Sequence, residues 1–300
     1  MTTVPAAASA RRPSSSALRR FLRAPSAWIG LGLMTLLVIG AVFAPQIAPQ
    51  NPFDLAAIDV LDARMTPGSV SSTGDITYLL GTDGQGRDLF SAILYGLRTS
   101  LTVGVGSAVL AGIIGILLGL IAAWSGGFID ALIMRLVDLL MSLPSILIAL
   151  LMLALLGKGI GNVVLTLVLL EWAYYARTAR AQALVERKRD YFEAARGLGL
   201  PTSRILLRHV LPNCLPPLLV IGALQVARAI TLEATLSFLG LGAPVTQPSL
   251  GLLIANGFQF MLSGEYWISF FPGLTLLTAI VAINLVGDRL REVLDPRALK

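Results

Sequence analysis

The sequence predicts an all-α membrane protein with six transmembrane helices. Of its 300 residues, 55% are hydrophobic and only 13% are charged, and the mean hydropathy is +0.78. Apolar runs without any charge recur along the chain, and most Lys and Arg residues lie between them. Composition and charge distribution together exclude the water-soluble classes.

The same composition limits the kinds of binding site that the chain can form. One cysteine and one histidine exclude a disulfide framework and make a metal site improbable, because neither residue has a second copy to pair with. None of the three lysines lies in the glycine-rich setting that binds nucleotide phosphates. The basic residues that give the formal charge of +6 lie at the edges of apolar runs, which is typical of a membrane protein and not of a nucleic-acid-binding one.

Four apolar runs are long enough to cross a bilayer. A helix rises about 1.5 Å per residue and the hydrocarbon core is about 30 Å thick, so about 17 to 25 apolar residues are needed. The predicted spans are Trp28–Ala44, Leu101–Trp124, Leu139–Leu156 and Trp267–Gly287. A cleavable signal peptide is the alternative for the first, although its apolar run is longer than such a region usually is.

Charge placement predicts two more spans, from Ile160 through Glu171 and from Cys214 through Arg228. The N-terminal tail holds five arginines and no acid, and Arg177–Asn213 holds eight basic residues against three acidic ones. Cytoplasmic flanks carry such an excess of positive charge. Six spans place these segments and the basic C-terminal tail on the cytoplasmic side, so both termini are expected to be cytoplasmic.

The segment before Asn213 predicts two short cytoplasmic helices. Asp190 is expected to cap the first, with Glu193 in the position of a capping box, and Gly199 to end it in the left-handed conformation. The second is expected to begin after Pro201 and to stop at Pro212. Apolar side chains in so small a loop need cover from the transmembrane helices or from another protein.

These residues carry a family resemblance. Glu193-Ala194-Ala195, Gly199 and Leu211-Pro212 resemble the EAA motif of permease subunits in ATP-binding-cassette (ABC) importers, with His209 as a departure from the generic pattern. Four further stretches resemble the dipeptide, oligopeptide and nickel permease family, namely Leu80–Phe90, Gly96–Leu101, Glu233–Gly242 and Asn284–Arg291. The first span with its long outer loop is similar to the C-type member of each permease pair.

The resemblance implies a type I ABC importer permease fold with a cytoplasmic coupling helix, in the bacterial inner membrane. It implies a heterodimer with a second permease subunit, two cytoplasmic ATPase subunits that bind ATP and Mg, and an extracytoplasmic solute-binding protein. It implies no cofactor, catalytic residue or metal site in this chain, and a cargo of short peptides, with nickel or glutathione as other cargoes. The residues implied in coupling to the ATPase are Asp190, Glu193, Ala194, Ala195, Gly199, Leu211 and Pro212.

The same reasoning divides the chain into four parts. Residues 1–22 are expected to form a disordered cytoplasmic tail, and residues 23–97 the first span and the external loop. Residues 98–288 are expected to form the permease core, followed by a second cytoplasmic tail at 289–300.

Five charges lie within or beside the predicted spans. Arg135 and Asp138 are three residues apart, so they could pair on one helix face. Glu171, Arg228 and Glu233 lie deeper, where a charge costs about 2.5–3.5 kcal/mol on insertion scales. Two interpretations stay open for this set, contacts to cargo in a pore and clamps between helices.

Two other function classes compete with the importer. An ion-coupled secondary transporter or a channel could use Glu171 and Glu233 without any ATPase. An intramembrane enzyme is a poorer interpretation, because no Ser/His or Asp/Asp constellation is visible at membrane depth.

Overall fold

The computed structural model describes residues 19–22, 24–54, 58–244 and 246–294, and these are almost entirely helical. The all-α prediction is therefore confirmed. The helices are α1 (Pro25–Val42), α2 (Ala44–Ile47), α3 (Leu89–Ser125), α4 (Gly127–Ser142), α5 (Ser145–Leu156), α6 (Ile160–Glu186), α7 (Asp190–Gly197), α8 (Thr202–Ile205), α9 (Leu211–Phe238), α10 (Leu250–Phe258) and α11 (Trp267–Leu294). The predicted tails at 1–22 and 289–300 lie partly outside the described residues.

In the part of the chain that the structure describes, four segments are long and apolar enough to cross a membrane. They are α1, α3, the segment Thr202–Phe238 and α11, and the bent pair of α4 and α5 makes a fifth if it counts as one span. The remaining predicted span lies in α6, whose 27 residues extend over about 40 Å. Its length suffices, but Glu171 and two arginines, Arg177 and Arg180, make it less apolar than the other spans.

The third predicted span, Leu139–Leu156, is divided at Pro144 into two helices. Its first residues belong to α4 and its last twelve form α5, and the two helices meet at 95°. Pro144 has no backbone N–H to donate, and Leu143 before it is extended, with φ −99° and ψ 145°. The proline therefore breaks the helix.

The prediction that Pro212 ends the second cytoplasmic helix is wrong. A π-helical stretch, Leu206–Val210, joins α8 to α9, so helical backbone runs on past the proline. Proline is tolerated in the first turn of a helix, where its missing N–H has no partner to lose. The wider π-turn supplies the change of register at which α9 begins.

The long helix α3 lies at the centre of the fold, packed against α6, α9 and α1. Gly115 and Gly119 let α6 approach its backbone, because a Cβ at either position would collide with the carbonyl oxygens of Trp172 and Ala176. On the other side, α11 packs along α1, α9 and α10. This packing places both ends of the loop around α7 on helices that contact α3.

The segment between α2 and α3 is ordered by buried polar contacts around a two-stranded antiparallel hairpin, β1 (Ser69–Val70) and β2 (Thr77–Tyr78). The Tyr78 hydroxyl donates to Asp62 at 2.8 Å, and Ser72 N donates to the same carboxylate at 2.9 Å. Burial raises the pKa of Asp62, but these hydrogen bonds outweigh it and hold the pKa below its usual value. Asp88 caps α3 by accepting from Ser91 N at 2.8 Å.

Candidate functional site

Helix α7 has one buried face that fixes it to the helix bundle. Phe192 and Ala195 are buried and pack with Ala179 and Ala183 of α6. The Phe192 ring also meets Trp124, at the end of α3, edge to face at 6.0 Å between centroids. We call this buried face the inner face of α7. Of the residues that resemble the EAA motif, Ala195 lies on it.

The opposite face of α7 is exposed. It consists of Asp190, Glu193, Ala194, Arg196 and the following Leu198, and we call this set the outer face of α7. Leu198 is 78% exposed. Ala194 has no long side chain, so another backbone can approach closely between the charges.

The loop is tied to α3, α6 and α9 by its flanking residues. The Tyr191 hydroxyl donates to Glu186 at 2.7 Å and accepts from Asn213 Nδ2 at 3.2 Å, which links the end of α6 to the start of α9. Burial and the Glu186 carboxylate raise the pKa of Tyr191 to about 12, so the hydroxyl stays protonated. Arg187 donates to the Ala123 carbonyl at the end of α3. A displacement of α7 would therefore act on three long helices.

The two ends of α7 differ in how well the sequence predicted them. Gly199 has a φ of +70°, and Leu200 N donates to the Ala195 carbonyl at 3.3 Å, which confirms the left-handed C-terminal cap. The capping box is wrong, because the helix already begins at Asp190 and its N-cap, Arg189, makes no side-chain cap hydrogen bond. Asp190 and Glu193 instead place negative charge at the positive end of the helix dipole.

The last two coupling candidates lie where α9 begins. Leu211 is half-buried against the cluster that holds Phe192, and Pro212 is exposed. A cavity of about 870 Å³ opens beside them, with Glu186, Arg189 and Tyr191 at its polar end and Pro216 and Pro217 among its apolar lining.

Asp138 pairs with Arg177 of α6 and not with Arg135, so the pairing expected from their spacing is wrong. Arg180 of α6 likewise binds Asp130 of α4 through two hydrogen bonds, Nη2 to Oδ2 at 2.6 Å. The partners are 39 and 50 positions apart, so no spacing rule in the sequence indicated them. Both pairs join α4 to α6.

Glu233 is buried and hydrogen-bonded. Its two carboxylate oxygens accept from Ser100 of α3 at 2.9 Å and from Ser237 at 2.7 Å. Only 1% of the residue is exposed. Glu233 therefore contributes to the contact between α3 and α9.

Glu171 and Arg228 face each other across α6 and α9. Glu171 is 1% exposed, and neither of its carboxylate oxygens has a hydrogen-bond partner among the described residues. Arg228 is close enough to interact with it electrostatically, and its guanidinium lies 4.3 Å from the centroid of the Tyr174 ring. Arg228 also donates to Ser145 of α5 at 3.2 Å. Within the described ranges, no cluster of His, Cys, Asp and Glu could hold a metal ion.

Two family models match the chain. Residues 115–300 match the model for a binding-protein-dependent transport system inner membrane component. Residues 13–67 match the N-terminal transmembrane domain of oligopeptide transport permease C.

Similar proteins cover almost the whole chain. A putative peptide transport system permease protein of Brucella suis is 43% identical over 93% of this chain and 90% of its own. The di/tripeptide transport system permease protein DppC of Pseudomonas aeruginosa is 41% identical over 89% and 87%. The probable D,D-dipeptide transport system permease protein DdpC of Escherichia coli is 38% identical over 89% and 86%.

The fold is similar to a solved structure. Inward-facing MetNI, a methionine ABC transporter, contains a chain that matches with a TM-score of 0.53 at 20% identity. The match covers 68% of this chain and 96% of that one.

Proposed function

This chain belongs to the family of binding-protein-dependent transport system inner membrane components, and we propose that it is one of two different permease subunits in an ATP-driven importer of short peptides. Its family makes it a membrane permease subunit. The choice of peptides as cargo is supported by one observation, the similarity to permeases named for peptide transport over 86–93% of both chains. A secondary transporter without an ATPase is not favoured by these relatives.

The outer face of α7 is the surface that we assign to a cytoplasmic ATPase. The inner face is occupied by Phe192 and Ala195, so only the outer face is free to bind a partner. Tyr191 and Arg187 connect the loop to α3, α6 and α9, so closure of two ATPase subunits on ATP and Mg would move these helices. ATP and Mg bind to those subunits in this proposal.

The remaining assignments follow from the charge distribution. Both termini and α7 lie in the cytoplasm of a bacterial cell, and the loop at 45–98 and the segment at 236–266 face outward, where a solute-binding protein delivers cargo. Residues 98–288 form the permease core behind the first span and outer loop at 23–97. Asp138 and Glu233 act as clamps between helices, which their contacts to Arg177 and Ser100 support.

The experiment that tests this function is copurification followed by transport. The chain is expressed with the partner permease, ATPases and binding protein that the proposal assigns to it, purified, and placed in proteoliposomes that are assayed for ATP-dependent tripeptide uptake. Leu198→Glu should remove the ATPase from the purified complex. Leu262→Glu is the matched control, since this leucine is also exposed but lies in the outward-facing segment. Retention of the ATPase by Leu198→Glu, with normal uptake, would contradict the proposal.

A further inference from the structure

A second cavity lies far from α7 along helix α3. Its volume is about 430 Å³, within the range of small-ligand sites. Arg98 lines this cavity, whereas Trp124, 26 residues further along α3, contacts α7. At about 1.5 Å per residue, the two ends are about 39 Å apart.

One face of α3 forms a wall of this cavity. The residues Tyr95, Arg98, Thr99, Thr102 and Val103 follow the helical repeat, so their side chains lie on the same side. Phe53 also lines the cavity and meets the Tyr95 ring edge to face, with 5.1 Å between centroids. Thr246 and Gln247 complete the polar lining.

Arg98 is the one charged residue of this lining. Within the described residues it has no acidic side chain in ion-pair distance, unlike Arg64, which pairs with Glu265 at 3.5 Å. The hydroxyls of Thr102 and Thr246 and the amide of Gln247 are further donors in the lining, whereas the Thr99 hydroxyl donates to the Tyr95 carbonyl at 3.2 Å. A planar guanidinium binds a carboxylate through two parallel hydrogen bonds, and no lining acid would repel such a ligand.

We propose that this cavity is a cargo subsite in which Arg98 binds the C-terminal carboxylate of an incoming peptide. The inference rests on the proposed function, because it takes its ligand from peptide import. Every linear peptide carries that carboxylate whatever its side chains, so one arginine can serve cargoes of varied sequence. The cavity also lies at the N-terminal end of the charge-free run of α3, which begins at Leu101. The carboxylate would therefore be bound before the peptide passes the membrane.

The test compares a tripeptide with its C-terminal amide in proteoliposomes that contain the full importer and its binding protein. Arg98→Gln should lower uptake of the acid by about tenfold and leave uptake of the amide unchanged. Arg98→Lys should recover part of the uptake of the acid, because it keeps the charge but loses the two-point geometry. Arg64→Gln is the control, and its ratio of acid to amide uptake should equal that of the wild type.

The outcomes separate the two proposals. Equal loss of acid and amide uptake in Arg98→Gln would overturn the subsite and leave peptide import standing. That result is expected if Arg98 binds a lipid phosphate or only stabilises the fold. Wild-type vesicles that import neither compound would overturn the proposed function, and the subsite with it.

Discussion

Replacement of Phe192 by alanine should detach α7 from the helix bundle without removing the protein from the membrane. The ring is buried against Trp124 and the alanines of α6, and loss of a buried phenylalanine costs about 3–5 kcal/mol. An isolated helix of fewer than about 12 residues is marginal in water, and α7 has eight. The free energy lost with this packing therefore exceeds the stability that α7 has as an isolated helix.

Amide exchange and transport stoichiometry together test this reasoning. A cost of about 3 kcal/mol corresponds to a rise of at least about a hundredfold in exchange within residues 190–198. The ATP hydrolysed per peptide imported should rise as well, because a loose α7 no longer moves α3, α6 and α9. Leu198→Ala on the outer face is the control and should leave exchange unchanged, because its side chain is exposed. Wild-type exchange and stoichiometry in Phe192→Ala would refute the two-faced account of α7.

Gly199→Ala should destabilise the loop by about 1–2 kcal/mol, because the residue has a φ of +70°. Gly197→Ala is the control and should not destabilise it, because Gly197 has no positive φ. ATPase copurification and thermal unfolding measure the difference, and equal behaviour of the two variants would contradict the assignment of Gly199 as the left-handed cap. Glu233→Leu should lower the free energy of unfolding by about 1–3 kcal/mol, because it leaves the buried Ser100 hydroxyl without its acceptor. Glu233→Gln should lower it by less. Equal melting temperatures for the wild type and both variants would contradict this. The pKa of Asp62 is lowered in the fold, so its stabilisation is complete above its ordinary value of about 4 and is lost as the pH falls through the lower folded value. Amide exchange of residues 58–88 should therefore rise in that acidic window. In Asp62→Asn the exchange of these residues should be faster than in the wild type at neutral pH and should show no acid-dependent rise.

The sequence predicted those features that depend on local chemistry. Gly199 is correctly identified as the left-handed residue after α7, because few other residues adopt that conformation readily. The family resemblance located the loop that holds α7 before any coordinates were considered.

Features that depend on partners distant in the chain could not be predicted. Asp138 binds an arginine on another helix, and Glu233 is held by Ser100, 133 positions earlier. The outcome at the prolines was context-dependent too, because Pro144 breaks its helix while Pro212 opens one. Periodicity also does not reveal which face of an eight-residue helix is buried, so the inner position of Ala195 came from the structure alone.

Cysteine labelling tests most directly the claim that α7 faces the cytoplasm, where an ATPase binds and moves it. Arg196→Cys is made in a Cys214→Ala background and treated with a membrane-impermeant maleimide, from outside in spheroplasts and from the cytoplasmic side in inverted vesicles. Ser263→Cys, also exposed but in the outward-facing segment, is the matched control. We expect position 196 to react only in inverted vesicles and position 263 only in spheroplasts. Reaction of position 196 from outside would contradict the topology and, with it, the assignment of the outer face of α7 to an ATPase.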